Sequence, residues 1–410
     1  MKAFHAILTT LLLIYCCSCK AGTQEDPQIQ AIKEQNNIKH AENIHSKILK
    51  KSFQDELAER SKLLRKFGLP FTLDEKGKPL MEAWRNTGKD RILTQDLGYY
   101  ATGYDKHASM CRWSMVVFTK DQLTGVNYGR EKRHFLQLKR HKKWDDIVLQ
   151  LVSANPRLLD EENKAMIDRG HMASVADVAG ILKDENQELL YEGTYFFDNI
   201  APQPSKFNDG IWRVFEEVIR DMSKEMDNLW VISGPAFSDL ESKFKVPFMP
   251  KNFFKVLLGI KGGKVYVGAL NIPSAVTLER TSVEHWMSAQ YQANELPKPV
   301  RESTKPLRSF SLGFQPFPNL IKQIGKGVLI EDIWEHFPWD KAIKERWDVL
   351  RIKQANPMHY SRGSVPRRAI TSPSDAFSSP QRNGRIPPPE GSKVHTWTKK
   401  GSSKPGRSMT

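Results

Sequence analysis

The sequence predicts an α+β fold, and three observations carry that prediction. Short apolar runs rich in β-branched and aromatic residues are interspersed with stretches of helical periodicity. Their order contains no regular strand–helix–strand units. The apolar share of 39%, with 10% aromatics, over 410 residues supplies a core for one large domain or two ordinary ones. A formal net charge of +15 adds attraction for polyanions, whether nucleic acid or an anionic membrane surface, but names no activity by itself.

Along the chain, Met1-Lys2 precedes an apolar run from Ala3 to Cys17, then Ser18-Cys19-Lys20 and a polar stretch from Ala21 to Asp26. That pattern predicts a signal peptide over residues 1–19, too short for a comfortable membrane span, and hence an exported protein. It resembles a bacterial lipoprotein signal with Cys19 as the lipidated residue, which would tether a basic chain to a membrane in the cell envelope. Ordinary secretion with cleavage near Ala21 is the alternative. Cys16, Cys17 and Cys19 fall in or beside this segment, so the mature domain retains Cys111 alone and no internal disulfide framework. Cys111 lies in the apolar run Met110 to Phe118, which reads as a buried structural thiol rather than a nucleophile.

Residues 24–68 are charged, with Ile29, Ile32, Ile44, Ile48 and Leu57 at roughly helical spacing and Gly68-Leu69-Pro70 as the stop. They read as a helical spacer between membrane and body, or equally as a solvated helix packed on the body. The body spans residues 72–349. Its strand-like segments are 114–118, 229–232, 254–260 and 264–270; helical patterns occupy 145–153 and 210–226, the second carrying Ile211, Val214, Phe215, Val218, Ile219 and Met222 on one face. Residues 356–410 are rich in Ser, Pro, Gly, Arg and Lys and predict a disordered basic tail, unable to bury enough apolar surface to offset its ordering entropy.

Chemistry concentrates in two strings. In Asp168-Arg169-Gly170-His171 a fixed cation and a tunable base stand one Gly apart, and that Gly is expected to permit an unusual backbone turn. Such a pair suits phosphodiester chemistry: Arg169 grips a phosphate oxygen while a neutral imidazole takes a proton from water. A surface loop histidine is the bland alternative. The second string is Asp198-Asn199-Ile200-Ala201-Pro202-Gln203 followed by Asn208-Asp209-Gly210-Ile211-Trp212 and Glu216. On an ideal helix Asn208 and Glu216 lie about 12 Å apart along the axis and about 80° around it, too far to bind one ion directly. A carboxamide ligand with a carboxylate reached through the ion's waters fits instead, whereas a plain N-cap and a solvent-facing glutamate would be the ordinary explanation. Trp212 reads as core packing ahead of base stacking.

Together the two strings resemble the DNA/RNA non-specific endonuclease family, the sugar-nonspecific nucleases of the Serratia nuclease and endonuclease G type. The Asp-Arg-Gly-His block matches that family's signature, and Asn-Ile-x-Pro-Gln with Asn-x-Gly-x-Trp-x-x-x-Glu matches its second block. Ser233-Gly234-Pro235 and the stretch from Val246-Pro247 to Phe254-Lys255-Val256 extend the likeness over roughly residues 99–273, after which the chain departs from the family's closing strands. The resemblance implies a central antiparallel β-sheet flanked by helices, with a ββα-metal (His-Me finger) active site. It further implies His171 as general base, Asn208 as the direct ligand of Mg²⁺ or another divalent cation such as Mn²⁺, and Glu216 as the residue orienting the ion's waters. Arg169 is then expected to contact the phosphate, with Asp168 and Asn199 in structural support. A further family arginine maps to Arg130 or Arg133, with Arg133 preferred.

The expected activity is exported, Mg²⁺-dependent hydrolysis of phosphodiester bonds in DNA, RNA or both. A nuclease-like binding module without catalysis and a structural envelope lipoprotein are the rival readings. Homodimerisation stays open.

Overall fold

The structure, a computed structural model, describes residues 27–72, 82–83, 91–122, 134–236, 247–275, 314–315, 317–319 and 330–355. The predicted signal segment with Cys19, the basic tail, Arg130 and Arg133 all lie outside these residues. The described residues belong to a single compact unit within residues 1–371. None of their helices is long and apolar enough to cross a membrane.

The fold is α+β, built on one eight-stranded sheet. Its strands are β2 (Glu82–Ala83), β3 (Ile92–Asp96), β4 (Tyr100–Asp105), β5 (Met110–Thr119), β8 (Asn228–Ala236), β9 (Asn252–Lys261), β10 (Lys264–Pro273) and β12 (Ile330–Asp332), in the spatial order β12-β10-β9-β8-β5-β4-β3-β2. Every pairing from β3 to β10 is antiparallel; β2 and β12 add parallel partners at the two edges. Two small pairs stand apart from it: β1 (Phe71–Thr72) with β11 (Phe314–Gln315), and β6 (Ile167–His171) with β7 (Ile200–Pro204).

Both faces of the central strands are covered, which is why these segments read as continuous apolar runs rather than as alternation. Along β8, Leu229 and Val231 join the larger core while Trp230 and Ile232 join the smaller one behind the sheet. In β9 the split is Phe253 and Leu257 against Phe254, Val256 and Leu258. The helices α1 (Pro27–Ile48), α2 (Lys51–Glu56), α3 (Ala58–Leu64), α4 (Trp144–Ala154), α5 (Asp184–Thr194), α6 (Arg213–Ser223), α7 (Ile333–His336) and α8 (Trp339–Ala355) complete the described body. Ala41, Ile44 and Ile48 of α1 are buried in the larger core, whereas Ile29 and Ile32 nearer its start are exposed. On the opposite face the Trp230 indole donates to the Leu63 carbonyl at 3.0 Å and meets Phe67 edge-on.

The sheet is bent by a bulge opposite Gly103 and Tyr104. Gly103 pairs with Trp113 and Tyr104 with Cys111, leaving Arg112 as the extra residue. The extra residue turns Cys111 to the same side as Ser114, so its thiol lies 3.3 Å from the Ser114 hydroxyl in the larger core. Burial pushes that thiol up to about 12, in keeping with a structural cysteine. Gly103 itself is required by contact: a Cβ there would lie 2.5 Å from Trp113 Nε1. Gly103→Ala is therefore expected to destabilise the fold by about 1–3 kcal/mol through overpacking. A urea midpoint equal to that of the unsubstituted protein would contradict this contact.

Candidate active site

The two sequence strings meet in the antiparallel β6–β7 pair and the helical segment that follows it. Asp168 pairs with Gln203, Arg169 with Pro202, Gly170 with Ala201 and His171 with Ile200. The chain leaves β7, makes a short turn at Ser205–Phe207, and passes through Asn208–Trp212 into α6. Two strands and a helix in this order form the ββα arrangement that the resemblance implied.

Two hydrogen bonds hold the helical segment along β6. At one end Asn208 Nδ2 donates to Asp168 Oδ2 at 3.2 Å, with Ser205 Oγ donating to the other carboxylate oxygen at 2.7 Å. At the other end the Trp212 indole donates to the His171 carbonyl at 3.2 Å. Asn208 to Trp212 therefore lies beside Asp168 to His171. A third link, the ion pair of Arg220 with Asp177 at 2.8 Å, ties α6 to the segment after His171.

This geometry removes one alternative and revises two sequence expectations. Asn208 is not an N-cap: its backbone is helical (φ −61°, ψ −51°) and its side chain is engaged with Asp168. The ideal-helix projection from Asn208 to Glu216 does not apply, because the helix is kinked at Gly210 (φ −105°, ψ −112°) and regular only from Arg213 onward. Gly170 does not turn the chain either. It sits within β6, where a Cβ would lie 1.9 Å from Gln203 Oε1 and 2.6 Å from its Cγ. The glycine is needed so that the buried Gln203 can cross over it.

Side chains alternate along β6, so Asp168 turns toward the helix start while Arg169 and His171 share another environment. The Arg169 guanidinium lies over the rings of Phe135 (5.0 Å) and Trp144 (5.2 Å). The His171 ring is 5.4 Å from Phe135 and meets Tyr195 edge-on at 4.8 Å. Both side chains are half-buried against aromatic walls that restrict their rotamers.

Asn199 is wholly buried, and its amide makes four hydrogen bonds. Its oxygen accepts from Ser114 Oγ (2.7 Å) and the Ala173 amide (2.8 Å), while its nitrogen donates to the Ala173 and Thr194 carbonyls at 2.8 and 2.9 Å. Asn199 thus braces the chain just beyond His171.

Two groups of supporting residues escaped the sequence reading. The first is centred on Asp198, which is fully buried. Arg140 grips both of its carboxylate oxygens, and His141 Nε2 donates to Oδ1 at 2.9 Å. His141 Nδ1 accepts from the Leu138 amide at 3.0 Å, which fixes the neutral Nε2–H tautomer, in line with burial drawing this imidazole below its ordinary range. Burial alone would raise the Asp198 carboxyl, but the fixed charge of Arg140 and the His141 hydrogen bond outweigh it and hold the group well below the usual carboxylate range.

The second group is a row of polar side chains crossing the sheet beneath the site. Thr102 pairs with Ser114, Ser114 with Ser233, and Ser233 with Lys255, all buried and in register across four strands. Thr102 donates to the Asp198 carbonyl at 2.6 Å and Ser114 to Asn199; Lys255 Nζ donates to Ser233 at 3.1 Å and lies 3.8 Å from the centre of the Trp212 ring. Burial lowers the Lys255 ammonium from its ordinary value, and the charges of Glu216 and Asp177 oppose that shift. The signal available in sequence was a polar residue at an inward position of an apolar strand.

Asn208 and half-buried Glu216 offer oxygen donors of the kind a hard divalent cation takes. A carboxylate accepts hydrogen bonds and does not donate them, so the Asn208 NH₂ must face Asp168, and the carboxamide oxygen is the atom left for an ion. Among the described residues no group of three or more His, Cys, Asp or Glu side chains is placed to hold a metal. One carboxamide oxygen with a carboxylate on the next helical turns is a donor set of the kind suited to an ion that keeps most of its water.

Asp198→Asn, which breaks the ion pair with Arg140, is expected to destabilise the protein by about 3–5 kcal/mol at neutral pH. Because the folded carboxyl is depressed, its contribution is complete above the ordinary Asp value of about 3.9 and is lost as the pH falls further. Thermal melts should then show the gap between the two proteins narrowing below about pH 4; a gap constant into acid would contradict this.

Comparison with known proteins bears on the same segment. Residues 82–306 match the family model described as DNA/RNA non-specific endonuclease, a span reaching beyond the 99–273 likeness on both sides. Mitochondrial endonuclease G of Bos taurus is 28% identical over 133 residues, 29% of this chain and 42% of that protein. Nuclease C1 of Cunninghamella echinulata var. echinulata is 25% identical over 201 residues, 46% of this chain and 73% of that protein. The chain thus spans about two-fifths of the mitochondrial relative's length. A crystal structure of the EndoG/EndoGI complex covers 63% of this chain and 92% of that chain at 18% identity, with a TM-score of 0.38, too loose to carry an assignment. The family match covers more than half of the chain and contains both motif blocks on the ββα arrangement: this chain belongs to the DNA/RNA non-specific endonuclease family.

Proposed function

We propose that this protein is a divalent-cation-dependent endonuclease that hydrolyses phosphodiester bonds of DNA, RNA or both. The observation that carries the reading is the pair of hydrogen bonds joining β6 to the helical segment, because it sets a base, an arginine and an amide oxygen on one rigid frame.

In this reading the His171 imidazole takes the proton from the attacking water as the water oxygen bonds to phosphorus, the phosphorus–oxygen bond to the departing sugar breaks, and the freed sugar oxygen takes a proton from solvent water. Arg169, stacked between Phe135 and Trp144, contacts a non-bridging oxygen and meets the charge that grows there in the transition state. Asn208 would hold the cation through its carboxamide oxygen, and Glu216 would orient the surrounding water. When bound, Mg²⁺ or another divalent ion such as Mn²⁺ would neutralise charge on the phosphate and on the leaving oxygen. Asp168 keeps the Asn208 amide turned the right way, and Asn199 fixes the chain after His171. Arg133, with Arg130 as the second candidate, is proposed as a further phosphate contact. Backbone hydrolysis that reads no base edges carries no base-sequence preference.

Export with a lipid anchor at Cys19 is proposed from the leader sequence alone, and labelling with a radioactive fatty acid in wild type and Cys19→Ala tests it.

His171→Ala is expected to lower plasmid and RNA cleavage by roughly 10²–10⁴-fold, as loss of a positioned base commonly does. Equal cleavage by both proteins would remove His171 from the chemistry. EDTA is expected to abolish cleavage by the wild type, and Asn208→Ala to abolish turnover or weaken its response to Mg²⁺. Mg²⁺ activation unchanged in that variant would exclude Asn208 as the ligand.

A further inference from the structure

Lys255 stands where an apolar residue would be expected. It occupies the middle of β9, is 2% exposed, and faces the larger core between Phe253 and Leu257. A buried ammonium is costly to desolvate, and a methionine would fill similar space without that cost. The side chain reaches Ser233, its cross-strand partner, and ends 3.8 Å from the centre of the Trp212 ring, well inside the range of a cation–π contact. The same indole donates its N–H to the His171 carbonyl. A cation against the ring draws electron density from the indole, which makes its N–H a stronger donor.

We propose that Lys255 is a positioning residue for the reaction: anchored by Ser233, its ammonium fixes and polarises the Trp212 indole, which in turn holds the His171 backbone and aims the imidazole. The proposal rests on the reading of His171 as the base. The charge of Glu216, on the first turn of α6, acts electrostatically on the same ammonium. Arginine would retain the charge and the ring contact; methionine removes both while keeping most of the volume.

The test compares wild type, Lys255→Met and Lys255→Arg in the full chain, using plasmid cleavage in Mg²⁺ and the NMR signal of the Trp212 indole N–H, assigned through its loss in Trp212→Phe. Lys255→Met is expected to lower kcat about 10–100-fold with KM little changed, and to shift the indole signal and speed its exchange; Lys255→Arg recovers part of both. A folded Lys255→Met with wild-type kcat overturns the proposal, whether or not the indole signal moves. A fall in kcat with an unmoved indole signal overturns the route through Trp212. Should Lys255→Met fail to fold, Ser233→Ala gives the same readouts: a smaller loss of kcat with a shifted indole supports the proposal, and neither change overturns it. Absence of cleavage by the wild type itself would instead defeat the nuclease reading, leaving the indole signal to decide whether Lys255 governs the contact with His171.

Discussion

A strand and a helix can share one chemical task only if neither slides relative to the other, and here that constraint is met by two hydrogen bonds. Asn208 to Asp168 and Trp212 to the His171 carbonyl fasten the helical segment along the length of β6. One bond orients the amide that presents an oxygen to a cation. The other fixes the backbone from which the imidazole hangs. Most of the remaining structure near the site serves to keep those two contacts rigid.

That support comes from below and is polar, which is uncommon for the middle of a sheet. Thr102, Ser114, Ser233 and Lys255 cross four strands in register, and each spends its polar group on the site or on its neighbour. At one end of the row, Thr102 and Ser114 engage Asp198 and Asn199, which open the second motif block. At the other end, Lys255 stacks on Trp212 within that same block. Arg140 and His141 close the frame around Asp198. A hydrophobic row would have packed the sheet more cheaply but would have left the β6–β7 pair free to shift, since apolar contacts carry little directional preference.

How far the sequence foretold this structure depended on what kind of signal each part carried. The strands β5, β8, β9 and β10 were legible because they are covered on both faces and read as apolar runs; α6 was legible from one continuous apolar face. The strands β3, β4, β6 and β7 were not, because Ile92–Asp96, Tyr100–Asp105 and the β6–β7 pair carry polar residues whose burial arises from distant partners, as Gln203 over Gly170 illustrates. His171, Arg169, Asn208 and Glu216 are singled out by two motif blocks and the family resemblance those blocks carry, and the fold sets the two blocks side by side. Arg140 and His141 were missed because nothing local in Lys139 to Lys143 distinguishes a buried ion pair from a solvated basic loop. Gly170 was assigned to a turn on general grounds, and its role as a gap for Gln203 becomes visible only once the two strands are paired.

Where a cation and a phosphate sit relative to this frame is measured directly by a crystal structure with Mn²⁺ and a hydrolysis-resistant phosphorothioate oligonucleotide. Anomalous density for a single Mn²⁺ is expected at about 2.0–2.3 Å from the Asn208 carboxamide oxygen, with water filling most of the other positions. The His171 imidazole is expected within one water of the phosphorus. An ion bound away from Asn208, or an imidazole turned from the phosphate with the oligonucleotide in place, would contradict this arrangement.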